Sequence, residues 1–251
     1  MAKTEQSRQK KLAKKRSKEI AKRKRLAAEK NALRSVAGQI AASMRLPIDR
    51  CYAYASLMDD TEDDGAIGAV LVTRPIPDGR VVFACFLVDK ACLGVKDAFA
   101  RLVTPAQFSD HLDRLRSRSK LIKCDPSVAK KLVTDAVQWA AQFGLDPLGD
   151  YERTSRIWHD VDESQCEQTF RFGRNGKPCY IQGPHDSPQF IRRVMESLSQ
   201  HAGEGNYEST HQIGAPEGIE ALFDAEGNPM EQDEMVLPDG DKILRIDHAD
   251  D

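Results

Sequence analysis

Aromatic residues are scarce. Phe, Trp and Tyr together make up 6% of the 251 residues, so any core must be built mainly from aliphatic side chains. No run of about 18 apolar residues occurs, and no helical membrane span or membrane insertion is expected. The basic N-terminus lacks the apolar segment that follows in a signal peptide. Its lysine-heavy composition, with Glu5, Glu19 and Glu29, also departs from acid-poor mitochondrial leaders. A cytoplasmic location is the expectation. None of the six cysteines (Cys51, Cys85, Cys92, Cys124, Cys166 and Cys179) stands in a C-x-x-C pair. That removes the common zinc-knuckle and ribbon patterns and points to free thiols. The Walker loop, G-x-G-x-x-G, G-x-S-x-G and H-E-x-x-H are all missing, so the common nucleotide, dinucleotide, serine-hydrolase and zinc-protease classes lose their simplest support.

The charge is abundant but segregated. The whole chain carries a formal net charge of −2, yet residues 1–34 hold nine Lys and five Arg against three Glu, a net +11. Residues 201–251 hold fourteen acids against Lys242 and Arg245, a net −12. Such asymmetry divides the chain into a basic helical arm (1–45), a body (46–200) and an acidic, irregular C-terminal segment (201–251).

Residues 5–44 read as one long helix, free of Pro and rich in good helix formers, with no Gly before Gly38. Only its last third has an apolar stripe, through Leu33, Val36, Ala37, Ile40, Ala41 and Met44, so the arm is expected to be moored at that end. Pro47 stops it. After an acidic loop at 59–65, strands at Ile67–Thr73 and Val81–Val88 form a hairpin, the second strand central in its sheet. Three helices open with a cap residue followed by proline. Thr104-Pro105-Ala106-Gln107 is also a capping box, and its helix turns Phe108, Leu112 and Leu115 inward. The helix from Asp125-Pro126 buries Ala129, Leu132, Val133, Ala136, Val137 and Ala140 and ends at Gly144. The helix from Ser187-Pro188 buries Ile191, Val194, Met195 and Leu198. A second hairpin is expected from Thr169–Phe172 and Cys179–Gln182 around Asn175-Gly176. A last short one is expected around Asp239-Gly240, with arms Met235–Leu237 and Lys242–Ile246. Both main hairpins read as strand, turn, strand, loop, helix, which places a helix near Asp97. The fold class expected is α+β: antiparallel hairpins in one sheet, helices layered on one face, preceded by the basic helix.

The strongest functional signal is the arm. Arg8, Lys10, Lys11, Lys14, Lys15, Arg16, Lys18, Lys22, Arg23, Lys24 and Arg25 surround the helix, and phosphates attract such a surface through counterion release. Without aromatics the arm cannot stack on bases, and it lacks the regularly spaced Asn or Gln of groove-reading basic regions. The expected partners are RNA, DNA or a ribonucleoprotein, with RNA or a ribonucleoprotein ahead of DNA. An intramolecular contact between arm and acidic tail is a further expectation at low salt.

Two body sites hold candidate catalytic groups. Asp89 and Asp97 flank the loop after the central strand, where two carboxylates with Lys96 are the pattern of a Mg²⁺-dependent nuclease or related phosphodiester enzyme. Mg²⁺ is a cofactor only on that alternative; otherwise none is expected. The ordinary reading is that Asp89 ends the strand, Gly94 makes a turn and Asp97 caps a helix. Cys92 as a nucleophile with His111 or His185 as base is a weaker pattern. His185 and Asp186 lie where a loop enters a helix N-terminus, a place for acid–base work or phosphate binding with Arg192, Arg193 and Lys177. His159–Ser164 begins like a calcium loop but lacks its Gly and Glu, and reads as a surface turn. A non-catalytic protein–protein adaptor is the remaining alternative. Whether the chain is an enzyme stays open at this stage.

Overall fold

The computed structural model describes residues 15–24, 36–59, 65–183 and 186–211. Helix α1 covers residues 15–24 and helix α2 Val36–Ser43. The linking part of the expected long helix, the acidic segment 60–64, and the C-terminal segment after His211 with its expected hairpin lie outside the described residues. The mooring stripe is realised in part. Met44 is buried and Ile40 packs against the core, whereas Ala41 is exposed. Arg80 Nη2 donates to Gln39 Oε1 at 2.6 Å and ties α2 to the hairpin turn.

The fold class is α+β. Strands β1 (Arg50–Tyr54), β2 (Ile67–Pro75), β3 (Val81–Asp89), β4 (Gly94–Val103) and β5 (Leu121–Lys123) form an antiparallel sheet in the order β4-β3-β2-β1-β5. A single helical turn, α3 (Ala55–Met58), follows β1. The near-continuous apolar run of β3 is explained by its place. It pairs on both edges, with β2 and β4, and its residues from Val82 on are buried. Alternate residues of a strand face opposite ways, and two aromatics of β3 show what covers each side. Phe83 meets Phe108 and His111 of α4 (Pro105–Arg118) at centroid distances of 5.8 and 5.2 Å. Phe86 meets Tyr151 of α6 (Tyr151–Thr154) and stacks on Trp158, at 6.2 and 5.5 Å. Helical segments therefore reach both faces of the sheet.

The local start signals hold. Thr104 and Gln107 close the capping box of α4, and Phe108, Leu112 and Leu115 are buried. Asp125 caps α5 (Pro126–Ala141), whose Ala129, Leu132, Val133, Ala136 and Ala140 are buried while Val137 is half-buried. Ser187 caps α7 (Pro188–His201), which buries Val194 and Leu198 and leans Ile191 and Met195 on a second, smaller core with Cys92, Leu93, Ala140, Leu145 and Tyr180.

Two expectations are corrected. Residues 94–103 form strand β4, so Asp97 caps no helix. Gly94, at φ +70°, closes the turn opposite Asp89, and a bulge between Leu87 and Val88 absorbs Lys96. The outer edge of β4 is then covered by backbone N–H groups of Leu148 and Asp150, which donate to Val95 and Ala98 at 2.9 and 2.8 Å. The second hairpin forms its turn, with Asn175 and Gly176 at φ 52° and 74°, but no strand at 169–172. Backbone N–H groups on either side of the turn bond instead to the segment after β3: Gly173 N–H donates to Lys90 O and Cys179 N–H to Ala91 O. Strand β6 (Cys179–Gln182) pairs instead in parallel with β7 (Glu208–His211), within a segment that reads as irregular.

Gly94 also explains how α5 lies so close to the sheet. A Cβ at this position would sit 2.5 Å from Ala136 O and 2.8 Å from Ala140 Cβ. Gly94→Ala combines that clash with a left-handed backbone, and is expected to lower unfolding free energy by about 2–3 kcal/mol in urea titrations.

Candidate nucleic-acid interface and carboxylate sites

Helix α1 is solvated on every side. All ten residues 15–24 are exposed, Ile20 at 55% included. Six of them (Lys15, Arg16, Lys18, Lys22, Arg23 and Lys24) are cationic against the one acid Glu19, a net +5. Among the described residues, Arg23 is the one of these six in an ion pair, with Glu19 one turn earlier at 3.2 Å. Exposed pairs of this kind are weak. Arg8, Lys10, Lys11, Lys14 and Arg25 lie outside the described residues, as does the part after His211 of the acidic segment expected to meet them.

The body carboxylates that the sequence grouped into one loop belong to two strands. Asp89 ends β3 and is fully buried. Its Oδ1 accepts the N–H groups of Ala91 and Cys92 at 2.8 and 3.0 Å, which locks the turn, and its Oδ2 is buried without a hydrogen-bond partner among the described residues. Burial pushes the Asp89 carboxyl up from its ordinary range, against the opposing pull of Lys96 and the turn N–H groups. Asp97 lies in β4 opposite Leu87, and its Oδ1 accepts the Ala98 N–H at 2.8 Å. Burial raises this carboxyl too, offset by the Ala98 N–H and Arg101. Gly149 packs directly on it, because a Cβ there would sit 2.2 Å from Asp97 Oδ1. Among the described residues there is no group of three or more His, Cys, Asp or Glu able to hold a metal ion.

The upward shift of Asp89 has a definite sign in stability. A carboxyl whose folded pKa is raised contributes stability below its unfolded pKa and loses it as pH rises through the folded value. Asp89→Asn keeps an oxygen for the two turn N–H groups and cannot ionise. It is expected to gain on the wild type as pH rises, by about 1–2 kcal/mol at pH 8, with no gain at pH 4. Denaturant titrations at the two pH values check this; equal differences at both would contradict a buried, reluctant carboxylate.

Asp186 is also engaged. Its Oδ2 accepts from Tyr180 Oη and Gly183 N–H at 2.6 and 2.8 Å, which closes the loop before α7. His185 lies outside the described residues. Of the cations expected near this loop, Lys177 donates to Gly205 O and Arg193 sits 5.2 Å over the Phe190 ring. Among the described residues, Lys96 brings a cation to this loop, with its Nζ against Gly183. Cys92 is buried in the small core, and burial raises its thiol, whereas His111 packs on Phe83. The calcium-like segment is a turn whose acids serve the protein: Asp160 pairs with Arg74, and Asp162 accepts from Ser164 N–H.

Sequence reasoning missed one concavity. A cleft of about 680 Å³ is lined by Ser56, Asp59, Lys90, Arg171, Phe172 and Asn175 among others. Lys90 is 3% exposed, donates to Leu57 O at 3.1 Å and lies 5.8 Å over the Phe170 ring. In sequence Lys90 is an ordinary loop lysine. Only the return of residues 170–176 past β3 makes it part of a wall.

No family model matches the sequence, and neither a curated protein nor a solved structure matches it. Among the described residues no helix is long and apolar enough to cross a membrane.

Proposed function

We propose that this protein binds nucleic acid, RNA or a ribonucleoprotein ahead of DNA, through phosphate contacts made by its basic N-terminal arm. The observation that supports the reading is the state of α1. Six cations stand on a helix with no buried residue, and the one intrahelical pair leaves the excess charge facing solvent. Displaced counterions supply the affinity. Residues 15–24 contain no Asn or Gln and no aromatic, so bases are neither read nor stacked upon. Recognition by backbone and shape is how double-stranded RNA is mostly bound, which ranks structured RNA first.

Fluorescence anisotropy with a labelled RNA hairpin tests this, comparing the full chain with a variant in which Lys15, Arg16, Lys18, Lys22, Arg23 and Lys24 are all glutamine. Tight binding by the wild type and its loss in the variant is the expected result. Equal affinity in the two removes the proposal.

A further inference from the structure

Cys51 opens the buried end of β1, and Cys124 follows β5 immediately. The β1–β5 register pairs Tyr52 with Lys123, which makes Cys51 and Cys124 the next residues directly opposite. The Cys124 N–H donates to Cys51 O at 3.2 Å, so the ladder continues through them as a hydrogen-bonded pair. Directly opposed residues of that kind have Cα atoms about 5.5 Å apart, inside the span of about 4.4–6.8 Å that disulfides bridge. Their sulfurs already face each other, with Sγ–Sγ at 3.7 Å and both residues as free thiols. Closing that distance to a bond takes side-chain rotation with a local approach of the two strands, because opposed Cβ atoms of a hydrogen-bonded pair stand near the upper end of about 4.5–5.5 Å and those of a disulfide about 3.5–4.5 Å apart. Of the six cysteines, Cys124 alone is not buried; Cys51 is 5% exposed behind it.

We propose that Cys51 and Cys124 form an oxidation site, a dithiol that a hydroperoxide converts into a cross-strand disulfide. The accessible Cys124 sulfur attacks one peroxide oxygen. An S–O bond forms as the O–O bond breaks, the leaving oxygen takes the Cys124 thiol proton and departs as water or alcohol, and Cys124 becomes a sulfenic acid. Cys51 sulfur then attacks Cys124 sulfur. The S–S bond forms, the S–O bond breaks, and the hydroxide leaves with the Cys51 proton as water. The two sulfurs give up two electrons and the peroxide takes them. The Cys124 side chain and burial both hold the Cys51 thiol above its ordinary range, which suits the resolving rather than the attacking partner. The bond fastens the edge strand β5 to β1 beside Asp125, the cap of α5, and closes a loop from residue 51 to residue 124. The site is independent of the basic arm.

The experiment exposes the full chain to a small excess of hydrogen peroxide, alkylates it under denaturing conditions, and digests it with trypsin without reductant. The expected product is the peptide Cys51–Arg80 joined to Cys124–Lys130, lighter by two hydrogens than the sum of the two. Free thiols are expected to fall by two from the six present, and the melting temperature to rise by at least about 5 °C. Cys124→Ser, at the half-buried position, keeps the folded body and is expected to lose neither further thiols nor gain stability on treatment. The proposal is overturned if the wild type keeps six thiols. It is equally overturned if Cys124 proceeds to sulfinic acid or a bond between chains, or if the joined peptides involve Cys85, Cys92, Cys166 or Cys179.

Discussion

Replacing Arg74 with alanine is expected to cost about 4 kcal/mol of stability, the largest single-residue effect in the body. Arg74 lies near the end of β2 and is fully buried. Its Nε and Nη2 both donate to Ile157 O, at 2.9 and 2.6 Å, and Nη2 also pairs with Asp160. The guanidinium is thus the peg on which the turn Ser155–Trp158 hangs, and that turn delivers Trp158 to its stack on Phe86. Alanine leaves a cavity and strips a buried carbonyl of both donors, each a recognised route to a large loss. Asp160 is the lesser partner because more than half of its side chain is exposed, yet its loss leaves a buried guanidinium without a countercharge, so Asp160→Asn is expected to cost about 2 kcal/mol, half the Arg74→Ala cost. The Arg74 side chain holds the Asp160 carboxyl below its ordinary range. The pair's contribution is therefore present above the unfolded carboxylate pKa and is lost only as pH falls through the lower folded value. Urea titrations followed by tryptophan fluorescence, with Trp139 replaced by phenylalanine so that Trp158 is the one emitter, report on this turn. Equal costs for the two substitutions would show that the ion pair, and not the carbonyl anchor, holds the turn.

The second large effect concerns the arm. Changing the six cations of residues 15–24 to glutamine preserves helix propensity while removing the charge. On duplex DNA each phosphate contact contributes about 0.9 to the slope of log K against log salt. If all six meet phosphates, they contribute about 5 to the slope. That corresponds to an affinity change on the order of 10³ between 50 and 200 mM salt. The folded body contributes none of these groups, so the variant's melting temperature is expected to match the wild type. An affinity loss with an unchanged melting temperature separates lost contacts from lost folding.

What could be read in the sequence was local. Thr104, Pro105 and Gln107 lie within one turn, and so do the stripes of α4, α5 and α7; their caps and buried faces follow from spacing alone. The apolar run of β3 carries its burial in its own composition. Pairings between distant segments were not legible. Nothing in Cys179–Gln182 encodes a parallel partner at Glu208–His211, and β5, three residues long, is too short for a pattern. Lys96 and Asp97 read as a loop because the bulge that absorbs Lys96 depends on β3 already being in place. The same limit applied to side chains. Asp89 and Asp97 were legible as carboxylates near one another in sequence. Their burial, and the engagement of Asp89 by two turn N–H groups, came only from the assembled sheet. Lys90 and Arg74 look like ordinary surface cations until residues 157–176 fold over them. The charge of α1 was legible from composition alone, because an exposed helix needs no tertiary context to be what it is.

The most direct measurement is a salt titration of RNA binding by the intact chain beside its six-glutamine variant. A steep negative slope for the wild type, flatter in the variant by roughly 0.7–0.9 per cation replaced, is the result this account predicts. Parallel slopes with equal affinities would contradict it, and would leave the cations of residues 15–24 without a role in binding phosphate.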